Sequence, residues 1–205
     1  RDNPNIENIE QLKYASSHLK LMLSQIDSCK SFDALRGLEG DAARLYFSIF
    51  NIMILHQKES FVFNGRSKRP PLDLLAHDVE SALTSVGLDP YVGFFHTDRP
   101  GRISLALDVM EEFRSVLVDR FVLTLINLKQ LKSKDFIYQD NGSVLLSDEG
   151  RKKFLSEWQK RKQDQITHYF TGEKIKLGLL PYVQALILSR YLRNEINDYV
   201  PFFKR

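Results

Sequence analysis

A histidine and two carboxylates lie near one another in the middle of the sequence, on either side of a Pro-Gly turn. His96 ends a short apolar run, and Asp108 and Glu111 follow in a pattern that predicts a helix over 103–131. Residues three apart share a helix face, so we expect the two carboxylates about one turn apart at the margin of a buried surface. Imidazole and carboxylate groups together suit a divalent metal ion. This segment is therefore a candidate metal site.

Ordinary structural roles are open for each of these side chains. Asp108 and Glu111 could instead form salt bridges, with Arg44 and Arg114 as the available partners. A lone histidine such as His96 most often makes only a hydrogen bond. The spacing by itself therefore does not decide between a metal site and a set of ion pairs.

A third acid, Glu39, lies between Gly37 and Gly40 at the expected beginning of an apolar helix over 42–55. Glycine lets a backbone or a ligand approach closely, although an acid in a first helical turn can also simply complement the helix dipole. A helix that is apolar on most of its circumference belongs in the centre of a bundle. Three separated segments thus each place a metal-ligand type beside glycine or arginine. This joint pattern favours metal-assisted chemistry on a nucleic-acid backbone.

Basic residues in two loops supply candidate DNA contacts. The first loop contains Arg66, Lys68 and Arg69, and the second contains Arg99 and Arg102. Both loops also contain proline or glycine, which makes a groove for phosphates easier to build. The other basic clusters alternate with acids on a helix predicted over 148–165, and this pattern is typical of a solvated helix face.

The composition limits the remaining possibilities. The 205 residues carry a net charge of +3, which is too small to indicate nucleic-acid binding without a local basic surface. The single cysteine excludes an internal disulfide, no apolar run approaches the roughly 20 residues of a membrane span, and the N-terminus has no signal-peptide character. We expect a soluble intracellular protein. The sequence contains no Walker, Rossmann, Cys-x-x-Cys or Gly-x-Ser-x-Gly motif.

Helical periodicity dominates, so the predicted fold is mainly α, with a single helical domain over 1–205. The predicted helices span 6–27, 42–55, 74–86, 103–131, 148–165 and 182–199. A small β-hairpin over 135–146 is predicted from the Asn141-Gly142 pair, since Asn-Gly favours the type I′ hairpin turn. Ser147 is a candidate N-cap for the helix that follows, and Pro181 suits a first helical turn.

Two motifs give the strongest indication of a family. One is the run 37–44, Gly-Leu-Glu-Gly-Asp-Ala-Ala-Arg, and the other is the run 92–114, Val-Gly-Phe-Phe-His-Thr-Asp-Arg-Pro-Gly-Arg-Ile-Ser-Leu-Ala-Leu-Asp-Val-Met-Glu-Glu-Phe-Arg. They resemble the C-terminal catalytic helical domain of the CRISPR-associated spacer-acquisition integrase, the universal adaptation endonuclease, in its subtype I-C form. The resemblance continues through the hairpin to Pro181 and the ending Val200-Pro-Phe-Phe. It therefore covers nearly the whole chain.

The resemblance implies a site and a reaction. Glu39, His96 and Glu111 match the metal-binding and catalytic residues of the family, and Asp108 matches a further acid near the site in some members. The implied cofactor is Mg²⁺ or Mn²⁺. The implied activity is that of a DNA endonuclease and integrase, which joins a DNA 3′-hydroxyl to a target phosphodiester and so inserts new spacers into a CRISPR array for antiviral defence.

The resemblance also implies partners and a location. The partners are double-stranded DNA, as prespacer and as CRISPR leader-repeat, a second copy of the chain in a homodimer, and a small adaptation protein with a ferredoxin fold. The location is the prokaryotic cytoplasm, with no membrane contact. The family also has an N-terminal β-rich domain, which we expect to be missing from this sequence, and a helical stretch between positions like Asp73 and Leu74, which abut here. We therefore expect a break or a missing loop between these two residues.

Two other functions are compatible with the residues. One is a non-catalytic helical interaction module, in which Glu39, His96 and Glu111 only form buried polar contacts. The other is a simple metal-dependent nuclease that hydrolyses DNA, since water and a 3′-hydroxyl can use the same site. Binding of a divalent metal would separate the two enzymes from the interaction module.

Overall fold

The structure, a computed structural model, describes residues 6–62, 70–97, 99–140 and 144–202. The described elements confirm a mainly α fold. The chain divides into two compact units, one formed by Arg1–Arg66 with Leu125–Ser133 and the other by Ser67–Thr124 with Lys134–Arg205. The described helices are thus shared between two units. None of the described helices is long and apolar enough to cross a membrane.

The first unit contains two long helices and two short 3₁₀ turns. Helix α1 spans Ile6–Gln25 and α2 spans Phe32–Ser48, and the turns are Ile26–Ser28 and Phe50–Met53. Ser31 begins α2, because its side-chain oxygen accepts a hydrogen bond from the Ala34 N–H group. The two helices pack against each other.

The segment Leu125–Ser133 belongs to this unit because two amide side chains connect it to the chain near residue 55. The Asn127 side-chain oxygen accepts from the Leu55 N–H group at 2.8 Å, and its amide nitrogen donates to the Met53 carbonyl at 3.0 Å. The Gln57 side chain donates to two carbonyl groups of the same segment, at 2.9 and 3.0 Å. These contacts satisfy backbone groups that would otherwise lack partners.

The second unit holds the other described elements. In chain order they are α3 (Pro70–Ser85), α4 (Ser104–Phe113), a π-helical segment (Arg114–Asp119), α5 (Arg120–Asn127), a 3₁₀ turn (Ser133–Asp135), β1 (Phe136–Tyr138), β2 (Val144–Leu146), α6 (Asp148–Gln163), β3 (Gln165–Thr167), β4 (Lys174–Lys176), a second 3₁₀ turn (Leu177–Leu179) and α7 (Leu180–Leu192). The last three residues of α5 belong to the first unit.

Helix α3 lies at the centre of the second unit, since it packs against both α4 and α7. Val79, Leu83, Phe113 and Leu180 are fully buried there, and burying side chains of this size supplies roughly 1.5–3 kcal/mol each. The two sheets are antiparallel pairs of strands: β1 pairs with β2, and β3 pairs with β4. This core holds α4, which carries two of the predicted site residues.

Several local predictions are confirmed. The hairpin forms, with three residue pairs between β1 and β2, although its Asn141-Gly142 turn lies outside the described residues. Ser147 caps α6 by accepting a hydrogen bond from the Gly150 N–H group, and Pro181 lies in the first turn of α7. The second hairpin, β3–β4, was not predicted. Its strands are only three residues long, too short for a clear alternating pattern.

The predicted helix over 42–55 is wrong in both its bounds and its burial. Helix α2 begins ten residues earlier, because Ser31 caps it, and it ends at Ser48. None of its residues is buried, so it is not the centre of a bundle. Gly37 and Gly40 lie inside α2, and open space surrounds the position that a Cβ atom would take at each. No other described part of the chain therefore approaches closely at these two glycines.

The expected break between Asp73 and Leu74 is not present in the structure. Helix α3 runs from Pro70 to Ser85 and passes through both residues. Prolines suit a first helical turn, since the N–H group that they lack would be unpaired there, and Asp73 complements the helix dipole.

Two other predicted helices differ from the structure. The helix predicted over 103–131 is divided into α4 and α5 by the π-helical segment. The helix predicted over 182–199 ends at Leu192, because Asn194 adopts a left-handed conformation with φ of 57°. The residues after Leu192 therefore lie outside the helix, and two of them form hydrogen bonds with α4 that are described below.

Two glycine substitutions test these helices. We expect Gly37→Ala to stabilise the protein by up to about 1 kcal/mol, because alanine favours an exposed helix position and nothing obstructs it. We expect Gly150→Ala to destabilise it by about 1–3 kcal/mol, since its Cβ atom would lie 2.3 Å from the Asp135 carbonyl oxygen. Urea denaturation measures both changes, and equal effects of the two substitutions would contradict this packing.

Candidate functional site

One carboxylate connects the loop before α4 to the helix itself. Asp108 Oδ2 accepts hydrogen bonds from the backbone N–H groups of Phe94 and Phe95, at 2.7 and 2.9 Å. Asp108 Oδ1 accepts from the His96 N–H group at 2.9 Å and contacts the His96 Nδ1 atom at 2.5 Å. The structure therefore brings together His96 and Asp108, the residue that the resemblance gives only as a further acid near the site.

These contacts determine how the His96 ring is oriented. An ionised carboxylate can only accept hydrogen bonds, so the Nδ1 atom carries the proton and donates it to Asp108. In a neutral ring of this tautomer the lone pair is on the Nε2 atom, which is the arrangement found for histidines that bind metals. Each Asp108 oxygen already accepts two hydrogen bonds. Asp108 therefore acts as a hydrogen-bond partner of His96. These hydrogen bonds do not leave it free as an additional metal ligand.

The surroundings of Asp108 also favour its charged form. Burial raises the pKa of Asp108, but hydrogen bonds from the His96 side chain and from the three backbone N–H groups lower it more. The net result is a pKa below the ordinary value of 3.8. Asp108 is therefore ionised at neutral pH and accepts all four hydrogen bonds as a carboxylate.

Glu111, the second acid of α4, pairs with an arginine. The Arg114 Nη1 atom lies 3.2 Å from Glu111 Oε1 and 3.3 Å from Oε2. The Glu111 side chain is 41% exposed, so a ligand from solvent can still reach its oxygens. Glu111 thus forms a salt bridge with Arg114, which the sequence analysis gave as the alternative to metal binding. Arg44, the other suggested partner, pairs instead with Asp41 at 3.0 Å.

The third predicted ligand, Glu39, lies on α2 in the first unit and is exposed. Among the residues that the structure describes, no three His, Cys, Asp or Glu side chains form a group that could hold a metal ion. The structure brings together the pair His96 and Asp108, and the convergence of Glu39, His96 and Glu111 stays a prediction.

The predicted DNA-binding residues fall in two classes. Arg99 is exposed and Arg102 is half-buried in the turn before α4, where the Arg102 N–H group donates to the Arg99 carbonyl at 2.9 Å. Gly101 permits this turn with φ of 74°. The other cluster (Arg66, Lys68 and Arg69) lies outside the described residues.

A cleft adjoins the His96–Asp108 pair on the side of α4 that faces α7. Its volume is about 310 Å³. The residues that line it are Phe94, Leu105, Asp108, Val109, Glu112, Leu188, Tyr191 and Tyr199. Because Asp108 is in the wall of this cleft, the orientation of His96 and the shape of the cleft depend on the same side chain.

Glu112 forms a second carboxylate network that the sequence did not reveal. Its Oε1 atom accepts from the Tyr199 hydroxyl at 2.5 Å, and its Oε2 atom accepts from the Phe202 N–H group at 2.7 Å. Gln184 donates to the Tyr199 hydroxyl and to the Val200 carbonyl, at 2.9 and 2.7 Å. Glu112 and its two partners lie 87 and 90 residues apart along the chain, so no local pattern could indicate the pairing.

Burial dominates the titration of this network. It raises the pKa of Glu112, and hydrogen bonds from Tyr199 and Phe202 lower that pKa only in part. The pKa of Tyr199 is also raised, by burial first and then by the charge of Glu112. Glu112 and Asp108 thus lie four residues apart on one helix with pKa values displaced in opposite directions.

The chain is mainly helical, and one exposed loop holds a histidine against a helix carboxylate. A family model for CRISPR associated protein Cas1 matches residues 1–160, which is more than half of the chain. The chain therefore belongs to the Cas1 family of CRISPR-associated proteins. The family that the motifs of the sequence indicate is confirmed.

Individual relatives agree with this assignment. The chain is 45% identical to a CRISPR-associated endonuclease Cas1 of Chlorobaculum tepidum and 53% identical to one of Rhodospirillum rubrum. These matches cover 100% and 86% of this chain but only 63% and 54% of the relatives. The chain is also 39% identical to the Cas1 endonuclease of Leptospira interrogans, over 98% of this chain and 84% of that relative.

Solved structures with a similar fold include two complexes. One is a casposase bound to an integration product, with a TM-score of 0.79 and 25% identity over 93% of this chain and 57% of that chain. The other is a Cas6-RT-Cas1–Cas2 complex, with a TM-score of 0.78 and 27% identity over 98% of this chain and 23% of that chain.

The lowered pKa of Asp108 gives a first test of the site. We expect Asp108→Asn to destabilise the protein by about 1–3 kcal/mol at pH 7, because it removes a charged acceptor. A carboxylate with a lowered folded-state pKa contributes stability above its unfolded pKa and loses it as the pH falls through the folded-state pKa. The difference from wild type should therefore shrink below about pH 4. Urea denaturation between pH 6 and pH 3 measures it, and a constant difference would contradict this role.

Glu112 should show the opposite pH dependence. A carboxyl with a raised folded-state pKa contributes stability below its unfolded pKa, and this contribution is lost as the pH rises through the folded-state pKa. The free energy of unfolding of wild type relative to Glu112→Gln should therefore fall as the pH rises above the ordinary value of 4.5. The same urea series measures this slope. If this free-energy difference instead rises with pH, as expected for Asp108→Asn, burial does not dominate the pKa of Glu112.

Proposed function

We propose that this chain is the catalytic part of a metal-dependent DNA endonuclease and integrase, which inserts new spacers into a CRISPR array. One observation carries the proposal: His96 donates through Nδ1 to Asp108, which leaves Nε2 oriented for a metal ion. The printed names of the relatives, CRISPR-associated endonuclease Cas1, and the casposase bound to an integration product support this function. From the two motifs of the chain we also propose that it is of subtype I-C.

We propose that His96 and Glu111, with Glu39 from α2, hold Mg²⁺ or Mn²⁺. The donor set fits, since it combines one imidazole with carboxylate oxygens, and Mn²⁺ accepts imidazole more readily than Mg²⁺ does. A bound divalent cation would stabilise the negative charge that develops on the phosphate oxygens and would lower the pKa of the attacking hydroxyl. Asp108 holds the ring of His96 in place by keeping its Nδ1 atom protonated.

The chain supplies phosphate contacts beside the same loop. Arg99 and Arg102 follow His96 within six residues, and a guanidinium group can contact two phosphate oxygens at once. Their part in the reaction is to hold the target strand while the 3′-hydroxyl of the incoming DNA attacks. Arg66, Lys68 and Arg69 are proposed to extend this DNA contact.

Partners follow from the same proposal. The incoming prespacer and the CRISPR leader-repeat are double-stranded DNA, and two copies of the whole protein form a homodimer. A small adaptation protein with a ferredoxin fold is the proposed protein partner, and the Cas1–Cas2 complexes among the similar structures support it. The proposed location is the prokaryotic cytoplasm.

Hydrolysis of DNA is a second candidate, because the curated relatives are named endonucleases. Water can replace the 3′-hydroxyl as the attacking group with no change in the residues of the site. One assay separates the two reactions. A labelled DNA with a free 3′-hydroxyl becomes covalently attached to the target in strand transfer, whereas hydrolysis only shortens or nicks the target.

We expect His96→Ala or Glu111→Ala to lower the rate of strand transfer at least about a hundredfold, since each removes a metal ligand. The fold should persist, because Asp108 keeps its three backbone donors in His96→Ala. The whole protein is assayed with the adaptation partner, supercoiled target DNA and Mn²⁺. His77→Ala is the matched control, because His77 is a histidine with a side chain that is 73% exposed on α3.

Calorimetry of Mn²⁺ binding to the purified protein completes this test. We expect binding that both His96→Ala and Glu111→Ala abolish and that His77→Ala leaves unchanged. Strand transfer at the wild-type rate by His96→Ala would refute the metal site as the source of catalysis. Mn²⁺ binding that neither His96→Ala nor Glu111→Ala changes would refute this metal site as well.

A further inference from the structure

Arg114 lies between two carboxylates with very different environments. Its Nη1 atom contacts both oxygens of Glu111, at 3.2 and 3.3 Å, and its Nε atom lies 4.0 Å from Asp119 Oδ2. The Glu111 side chain is 41% exposed, whereas the Asp119 side chain is 3% exposed. A buried carboxylate is costly unless a cation or hydrogen-bond donors accompany it. Asp119 therefore favours keeping the guanidinium group in this place.

The π-helical segment makes this arrangement possible. On an α-helix, residues three or four apart share a face, so residues five apart, such as Arg114 and Asp119, point to different sides. A π-helix closes its hydrogen bonds between residues five apart and so brings these two side chains toward the same side. Glu111 lies three residues before Arg114 and shares its face by ordinary α-helical spacing. The wide turn thus lets one guanidinium group approach both carboxylates.

We propose that Arg114 is a positioning residue, anchored by buried Asp119, that holds the Glu111 carboxylate in the orientation in which it binds the divalent metal. This inference rests on the proposed function, which makes Glu111 a ligand. Arg114 uses one nitrogen for both Glu111 oxygens, so each oxygen keeps lone pairs for a cation. Arg114 then serves Glu111 as Asp108 serves His96, by fixing a ligand through a second contact.

A positioning role and a purely electrostatic role of Arg114 predict opposite changes in the affinity for Mn²⁺, and this contrast makes the inference testable. A guanidinium group that acted only as a positive charge would repel Mn²⁺, so its removal would tighten binding. A guanidinium group that positions Glu111 would weaken binding when it is removed. Substitution of such a partner typically costs about 10- to 100-fold in metal affinity.

The experiment measures the dissociation constant of Mn²⁺ alone, without DNA, by calorimetry on the metal-free purified protein. We expect Arg114→Ala to weaken binding about 10-fold or more. Arg114→Lys should also weaken it, since a single ammonium group cannot reproduce the planar fork. Asp119→Asn should weaken it to a smaller extent. The double variant that combines Arg114→Ala with Asp119→Asn should be no weaker than Arg114→Ala alone, because Asp119 acts through Arg114.

Arg120→Ala is the matched control, since it removes the same charge from an exposed residue next to Asp119. It should leave the affinity for Mn²⁺ within about twofold, because exposed charges are strongly screened. Circular dichroism checks that each variant is folded. If Arg114→Ala does not fold, Arg114→Lys and Asp119→Asn carry the test.

The outcomes separate this inference from the proposed function. Binding of Mn²⁺ that depends on His96 but is unchanged or tighter in the Arg114 variants would overturn the positioning role alone. Wild-type binding that does not depend on His96 would overturn the proposed function and this inference with it. Weaker binding in the Arg114 variants, with Arg120→Ala unchanged, supports both.

Discussion

The hydrogen bonds to Asp108 are the interaction on which the candidate site depends. This carboxylate is the common acceptor for three consecutive backbone N–H groups and for the ring of His96. It can reach them only because the loop lies directly on α4. Gly93 permits this approach, since a Cβ atom there would lie 2.7 Å from the Ser104 Cβ atom. The first turn of α4 is fixed from the other side by the Pro90 carbonyl, which accepts from two of its N–H groups.

Three acids of α4 then have three different roles because a helix turns by about 100° per residue. Asp108 faces the loop that carries His96, and Glu112, one turn later, faces Tyr199 and the end of the chain. Glu111 points about 60° to the other side of Asp108 from Glu112, and there it is exposed and pairs with Arg114. Four donors surround Asp108 and two surround Glu112, which explains why burial determines the pKa of Glu112 but not that of Asp108.

The sequence could predict the features that depend on neighbouring residues. The hairpin, the Ser147 cap and the first-turn Pro181 follow from local turn and cap chemistry. The hydrogen bond from Phe202 to Glu112 after the end of α7 could not be predicted, because these residues lie 90 positions apart along the chain. The π-helical segment could not be predicted either, because its apolar residues fit the pattern of an unbroken α-helix.

The two predicted ligands on the second unit are both held by a second side chain of the protein. His96 is held by Asp108, which is almost saturated with donors, and Glu111 is held by Arg114, whose contacts leave the carboxylate open to solvent. A ligand that is already oriented loses little conformational freedom on binding a cation. Under the proposed function, the fixed orientation of these two ligands raises the affinity of the site for the metal ion. The same arrangement places the positively charged Arg114 guanidinium group beside that ion. Buried Asp119 lies 4.0 Å from the Arg114 Nε atom and so favours keeping this positive charge beside Glu111.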